Sequence, residues 1–174
     1  MKDIRQYARR LEILCYALIP LFVFLEIFLR WFQDKIPGLR LLDLSIDNLA
    51  DIPMSHRLLG VFATSISVII MVWGLVYLIK TMRSIQQGKI FSYQTTTYFK
   101  RMNTLFLWLA LYTPLHRMLF VLTTTLHNPP GQRMLSFGFT SGDLTNILIF
   151  AFFLVITSMM QEGSRIQEDL DLTV

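Results

Sequence analysis

Long apolar runs separated by short polar breaks dominate the chain, and those near 11–33, 57–80, 103–126 and 144–161 carry few charges. At 1.5 Å rise per residue, about 20 such residues cross a bilayer as a helix, so the pattern predicts four transmembrane helices. The runs lack the short period-two alternation of a membrane barrel. Helices also satisfy every backbone N–H and C=O internally, which lipid demands. The expected fold is all-α: a polytopic four-helix bundle forming one domain over 1–174, with an acidic tail over 162–174.

Composition agrees. The chain is 53% hydrophobic and 16% charged, with mean hydropathy +0.50, which excludes an ordinary soluble domain. Lys2, Arg5, Arg9 and Arg10 before the first run resemble a signal peptide's start, but that run is too long and closes without a small-x-small site. It is expected to stay as an anchor. The single cysteine, Cys15, rules out an internal disulfide and reads as helix packing.

Basic residues resist translocation, so their distribution predicts orientation. Ten lie on the side of the termini: Lys2, Arg5, Arg9, Arg10, Lys80, Arg83, Lys89, Lys100, Arg101 and Arg165. Arg30, Lys35, Arg40, Arg57 and Arg133 make five on the other. Both termini are expected in the cytoplasm, and the pI near 9.4 reports topology, not direct nucleic-acid binding. In the first external loop, Leu39, Leu42, Ile46 and Leu49 recur at helical spacing beside Asp43, Asp47 and Asp51, which predicts a short amphipathic helix on the outer surface. Thr140 with Asp143 fits a capping box opening the fourth helix. On the inside, Gly88 breaks the helical pattern and Ser92 is an N-cap.

Arg117 stands in the middle of the apolar stretch "LALYTPLHRMLFVLTTTL". A charge at that depth costs at least about 2.5–3.5 kcal/mol on insertion scales, so it should face the interior and meet a counter-charge. Counting along the helices, Arg117 lies about 21 Å beyond Asn103 and Glu26 about 22 Å beyond Leu11, the same level. Glu26 is therefore the expected partner, although Arg30 at i+4 competes for it. Thr113, Arg117 and Thr124 fall within about 40° on one helix face with His116 beside them, completing an expected intramembrane polar network. Asn146 and Thr157 on the fourth helix extend it. Gly60, Thr64, Ser67 and Gly74 form a small-residue face suited to close helix packing. At the cytoplasmic side, Lys80, Arg83, Lys89, Lys100 and Arg101 attract anionic membrane lipids. With Glu162, Glu168, Asp169 and Asp171 of the tail, they also form a candidate docking face for a protein partner.

No glycine-rich phosphate loop, i,i+4 histidine pair, nucleophile elbow or cysteine motif is present, so neither catalysis nor a cofactor is expected. His116 and His127 lie about 16 Å apart along one helix, too far to share a metal. His56, His127, Asp51 and Asp143 are the residues that could gather at the outer face, but a metal site is not the expectation.

The segments "SIQQGKIFS", "LALYTPLHRMLF", "NPPGQRMLSFGFTSGDL" and "QEGSRIQEDLDLTV" together resemble a bacterial membrane family, domain of unknown function 2975. The resemblance implies a four-helix, multi-pass protein of the bacterial inner membrane, often encoded beside a small helix-turn-helix regulator, with no assigned catalytic residues. The leading expectation is thus a non-enzymatic regulatory or sensor partner of such a cytoplasmic regulator. A small transporter with a polar path around Arg117 is the alternative, and as four helices enclose little space it would act as a homo-oligomer or around a narrow cleft. A third reading is an assembly subunit of a larger membrane complex.

Overall fold

The computed structural model describes residues 2–29, 31 and 52–172. Helix α1 spans Lys2–Val23 and continues as a π-helical segment over Phe24–Leu29. Helices α2 (Met54–Gln86), α3 (Tyr93–Thr125) and α4 (Ser141–Leu172) follow. All four spans are long and apolar enough to cross a membrane. The amphipathic helix expected around 39–51 lies outside the described residues, as does Arg30.

Each helix overruns the apolar run that predicts it. Once a helix exists, every added residue gains a backbone hydrogen bond at little extra ordering cost, so polar flanks such as Thr81–Gln86 and Tyr93–Met102 stay helical. The segment expected as a tail is likewise the last turns of α4, helical through Leu172. In α1, Pro20 removes one backbone donor, and four residues later the wider π turn begins. That widening rotates Glu26 and its neighbours away from the face a continuous α-helix would give them.

Packing follows chain order: α1 lies against α2, α2 against α3, and α3 against α4. Extensive contact between non-sequential helices is not seen among the described residues, so the four form an arc more than a closed bundle. Cys15 of α1 is buried beside Leu75 and Ile79 of α2, with Ile19, Met71 and Leu78 around them. Near the termini Glu12 accepts from Arg83 Nε and Gln86 Nε2, each at 2.7 Å, while Arg83 Nη2 donates to the Tyr16 hydroxyl at 2.6 Å. The opposite end of this seam is closed by Trp31, whose ring lies flush on Gly60.

The α2–α3 turn needs Gly88 at φ +83°, and Ser92 caps α3 by accepting from the Thr95 N–H. Ser84 and Thr95 are buried against each other across that hairpin, and the Tyr112 hydroxyl donates to the Ala63 carbonyl at 2.8 Å. Small and hydroxyl-bearing residues at such contacts let the backbones come close where lipid supplies no hydrophobic drive. Between α3 and α4, Phe99 and Phe106 pack on Phe153. Gly163 admits Phe91, whose Cδ1 would lie 2.7 Å from an added Cβ, so the C-terminal part of α4 rests on the α2–α3 turn. Phe62, Trp73, Trp108 and Leu148 point outward, as lipid-facing side chains should.

The two interior glycines of α2 predict different responses. A Cβ at Gly60 would overlap the Trp31 indole, which is fully buried and has nowhere to go; at Gly74 it would meet Phe106 at an ordinary 3.4 Å. Gly60→Ala should therefore cost about 1–3 kcal/mol through overpacking, while Gly74→Ala should be near neutral. Thermal unfolding of the detergent-solubilised variants checks this; equal effects would mean Trp31 is not seated there.

Candidate functional site

Arg117 leaves α3 about 12 Å before the helix ends at Thr125, and its guanidinium forks onto the Asp143 carboxylate: Nη1 to Oδ2 and Nη2 to Oδ1, both 3.1 Å. Nη1 also donates to the Gly138 carbonyl at 3.0 Å and Nη2 to the Thr140 hydroxyl at 3.2 Å. Asp143 is the third residue of α4 and only 2% exposed. It also accepts from the Thr140 N–H at 2.7 Å and the Thr140 hydroxyl at 2.9 Å. The Thr140 hydroxyl thus accepts a hydrogen bond from Arg117 and donates one to Asp143. The carboxylate sits at a helix N-terminus, whose free N–H groups favour negative charge, and a two-pronged charged pair is among the strongest side-chain contacts. Half of the expected capping box is therefore formed, with Asp143 returning to the Thr140 N–H.

This corrects the expected Arg117–Glu26 pair. Depth counting places Glu26 near Arg117 but overlooks a competitor, because the connection after α3 doubles back before α4 begins. Thr125 Oγ1 ties to both the N–H and the carbonyl of Met134, and Gly131 turns at φ +95°. The chain then starts α4 beside Arg117 instead of beside Thr125. Asp143 read as a capping residue is the same residue that neutralises the arginine.

Beneath this clamp lies a cavity of about 610 Å³ to which all four helices contribute. Phe22 and Glu26 come from α1, Ser67 and Met71 from α2, Phe106, Thr113, His116, Arg117 and Phe120 from α3, and Asn146, Phe150 and Phe153 from α4. Its size is that of a small-molecule site, lined by a few polar groups among phenylalanines. Of the expected network, Glu26, Thr113, His116 and Arg117 do share this space. Thr124 does not: its hydroxyl bonds back to Phe120 and Val121 within α3. Thr157 likewise turns to its own helix, at Phe153.

His116 faces α2. Its Nε2 lies 3.1 Å from the Thr64 hydroxyl, which in turn accepts from Trp31 Nε1–H at 3.1 Å. A residue expected only for small size is thus the hub joining the residue at the end of α1, α2 and α3. Ser67 bonds to the Thr64 carbonyl at 2.8 Å and lines the cavity. Arg57, at the start of α2, is buried and donates to the carbonyls of Ile52 and Trp31.

The expected docking residues divide into separate places. Arg83 is occupied by Glu12 and Tyr16 at the exposed edge of the α1–α2 seam. Lys80 and Arg101 gather around Tyr77. Lys100 lines a groove of about 400 Å³ between α3 and α4 with Tyr93, Gln161, Arg165 and Glu168, while Lys89 is exposed on the turn. Glu162 pairs with Arg165 at 3.9 Å, and Asp169 is on the exposed last turns of α4. The Asp171 side chain and Asp51 lie outside the described residues. His56 and His127 approach to 6.4 Å between ring centres, but Asp143 is committed to Arg117. Among the described residues no three metal-ligating side chains converge.

The family model "Protein of unknown function (DUF2975)" matches residues 8–174. The chain belongs to the DUF2975 family. No curated protein and no solved structure matches it. As a DUF2975 member with four membrane-spanning helices, it presents the clamp and the cavity as its candidate site.

Thr64 generates a test. Thr64→Val keeps the shape but strands the Trp31 N–H and His116, and should cost about 1–3 kcal/mol. Thr64→Ser should retain most of the stability. Unfolding midpoints and Trp31 fluorescence, against a Trp31→Phe reference, check this; indistinguishable Val and Ser variants would remove the hub.

Proposed function

We propose that this DUF2975 protein is a non-enzymatic regulatory protein of the bacterial inner membrane, with both termini in the cytoplasm. In this reading it couples the occupancy of its intramembrane cavity to a cytoplasmic helix-turn-helix regulator. The observation that carries the reading is α4. It is a single 32-residue helix, about 48 Å long, that begins in the Arg117 clamp, passes the cavity with Asn146 and Phe153, and ends in the groove with Arg165 and Glu168. A stiff element contacting both places is a means by which a change at one can bias the other. Packed chiefly on α3 alone, α4 has fewer neighbours holding it than a helix inside a closed bundle.

The transporter reading draws support from the same cavity, because its polar groups lie within the membrane-spanning segments. Capture from native membranes separates the two. The full-length protein and a version ending at Gly163 are purified and what accompanies them is identified by mass spectrometry. The regulatory reading expects a soluble DNA-binding protein with the intact chain alone. A defined homo-oligomer with no soluble partner for either version would contradict it and favour transport.

A further inference from the structure

Two cations share one tyrosine where the α2–α3 hairpin meets the edge of the apolar layer. Lys80 Nζ lies 5.2 Å from the Tyr77 ring centre and 5.9 Å from that of Tyr98. The Arg101 guanidinium lies 5.8 Å from the same Tyr77 ring, and its Nη1 donates to the Tyr77 hydroxyl at 3.4 Å. The two tyrosine rings are 6.3 Å apart. Neither Lys80 nor Arg101 has a carboxylate partner among the described residues, and both are exposed. Arg83, one turn further along α2, shows the contrast, because Glu12 neutralises it. Holding two like charges on one ring is unfavourable by itself, and an anion between them removes the penalty.

The depth of the pair identifies the anion. On α2 no charge separates Arg57 from Lys80, a run of 22 residues that measures about 33 Å, close to the thickness of a bilayer's hydrocarbon core. On α3 Arg101 is the last charge before Arg117. Lys80 and Arg101 therefore lie at the level of lipid phosphates, with Tyr77 and Tyr98 in the band where tyrosines anchor membrane helices. Arginine and lysine on adjacent antiparallel helices suit a phosphodiester, the arginine as a planar fork and the lysine as a point charge. We infer that Lys80, Arg101, Tyr77 and Tyr98 form a binding site for the phosphate headgroup of an anionic phospholipid. The site is independent of the regulatory reading and of the cavity.

Native mass spectrometry of the full-length protein, titrated with phosphatidylglycerol or phosphatidylcholine, tests the inference. Phosphatidylglycerol should be retained preferentially. At the usual strength of a basic residue at a membrane surface, Lys80→Gln and Arg101→Gln should each weaken that retention about fivefold, and the double variant about thirtyfold. Lys89→Gln, a lysine on the same hairpin outside the cluster, should weaken it less than either of these single changes; an equal loss would mean diffuse surface charge and no site. Equal retention of the two lipids by the unaltered protein would overturn the site even if the variants fail to fold. So would a double variant that binds like the parent. Displacement by millimolar inorganic phosphate would mean that a free anion, not a lipid, is the ligand.

Discussion

A guanidinium inside the apolar layer of a membrane must be neutralised where it stands, because water is not there to do it. Arg117 stands within a helix long and apolar enough to cross a membrane, and the first turn of α4 comes down to neutralise it. Asp143 takes both prongs of the fork, Thr140 relays between them, and the Gly138 carbonyl completes the shell. The position of α4 along α3 follows from this contact, and with it the placement of Asn146 and Phe153 at the cavity and of Gly163 against Phe91. The aromatic stacking of Phe99 and Phe106 on Phe153 stabilises that register, but such contacts tolerate sliding more readily than a two-pronged charge pair does.

The arc of helices gives the cavity its form. Helices that pack only on their neighbours in sequence leave a concave side, and the side chains turned into it are a mixture that lipid alone would not favour: a carboxylate, an imidazole, an amide and a hydroxyl among phenylalanines. His116 is held through Thr64 to Trp31, so the wall on the α2 side is braced, whereas the α4 side depends on the clamp. The cavity therefore has one wall braced by hydrogen bonds between helices and one wall held by an ion pair with its cap and by aromatic packing on α3.

The four spans were legible because hydropathy reports what lipid demands of each segment separately. Local signals were legible too: Gly88 breaks the helix and Ser92 caps α3 as expected, and Asp143 forms half of the expected box with Thr140. Cys15 packs in a seam as a lone apolar-helix cysteine should. What depended on the path of the α3–α4 connection was not legible. Arg117 and Glu26 do line one cavity, as their depths suggest, but the doubled-back connection at Thr125 and Met134 brings Asp143 onto the arginine, and sharing a level does not decide which carboxylate takes the fork. A sharper signal was present in Asp143: an acidic residue opening the apolar helix that follows the one in whose apolar run Arg117 stands. Thr64 was visible as small but not as a hub, because the role of its hydroxyl depends on two rings from other helices. The basic residues formed one set by charge and separate into a seam lock, a tyrosine cluster and a groove, since charge counting does not record what each side chain touches.

The central claim is that Arg117 is neutralised by Asp143 and that this contact fixes α4. Two double-mutant cycles on unfolding stability test it most directly, one combining Arg117→Met with Asp143→Asn and the other combining Arg117→Met with Glu26→Gln. The account predicts strong coupling in the first cycle, with the double variant losing little more than either single change, and near additivity in the second. Coupling with Glu26 and additivity with Asp143 would contradict it.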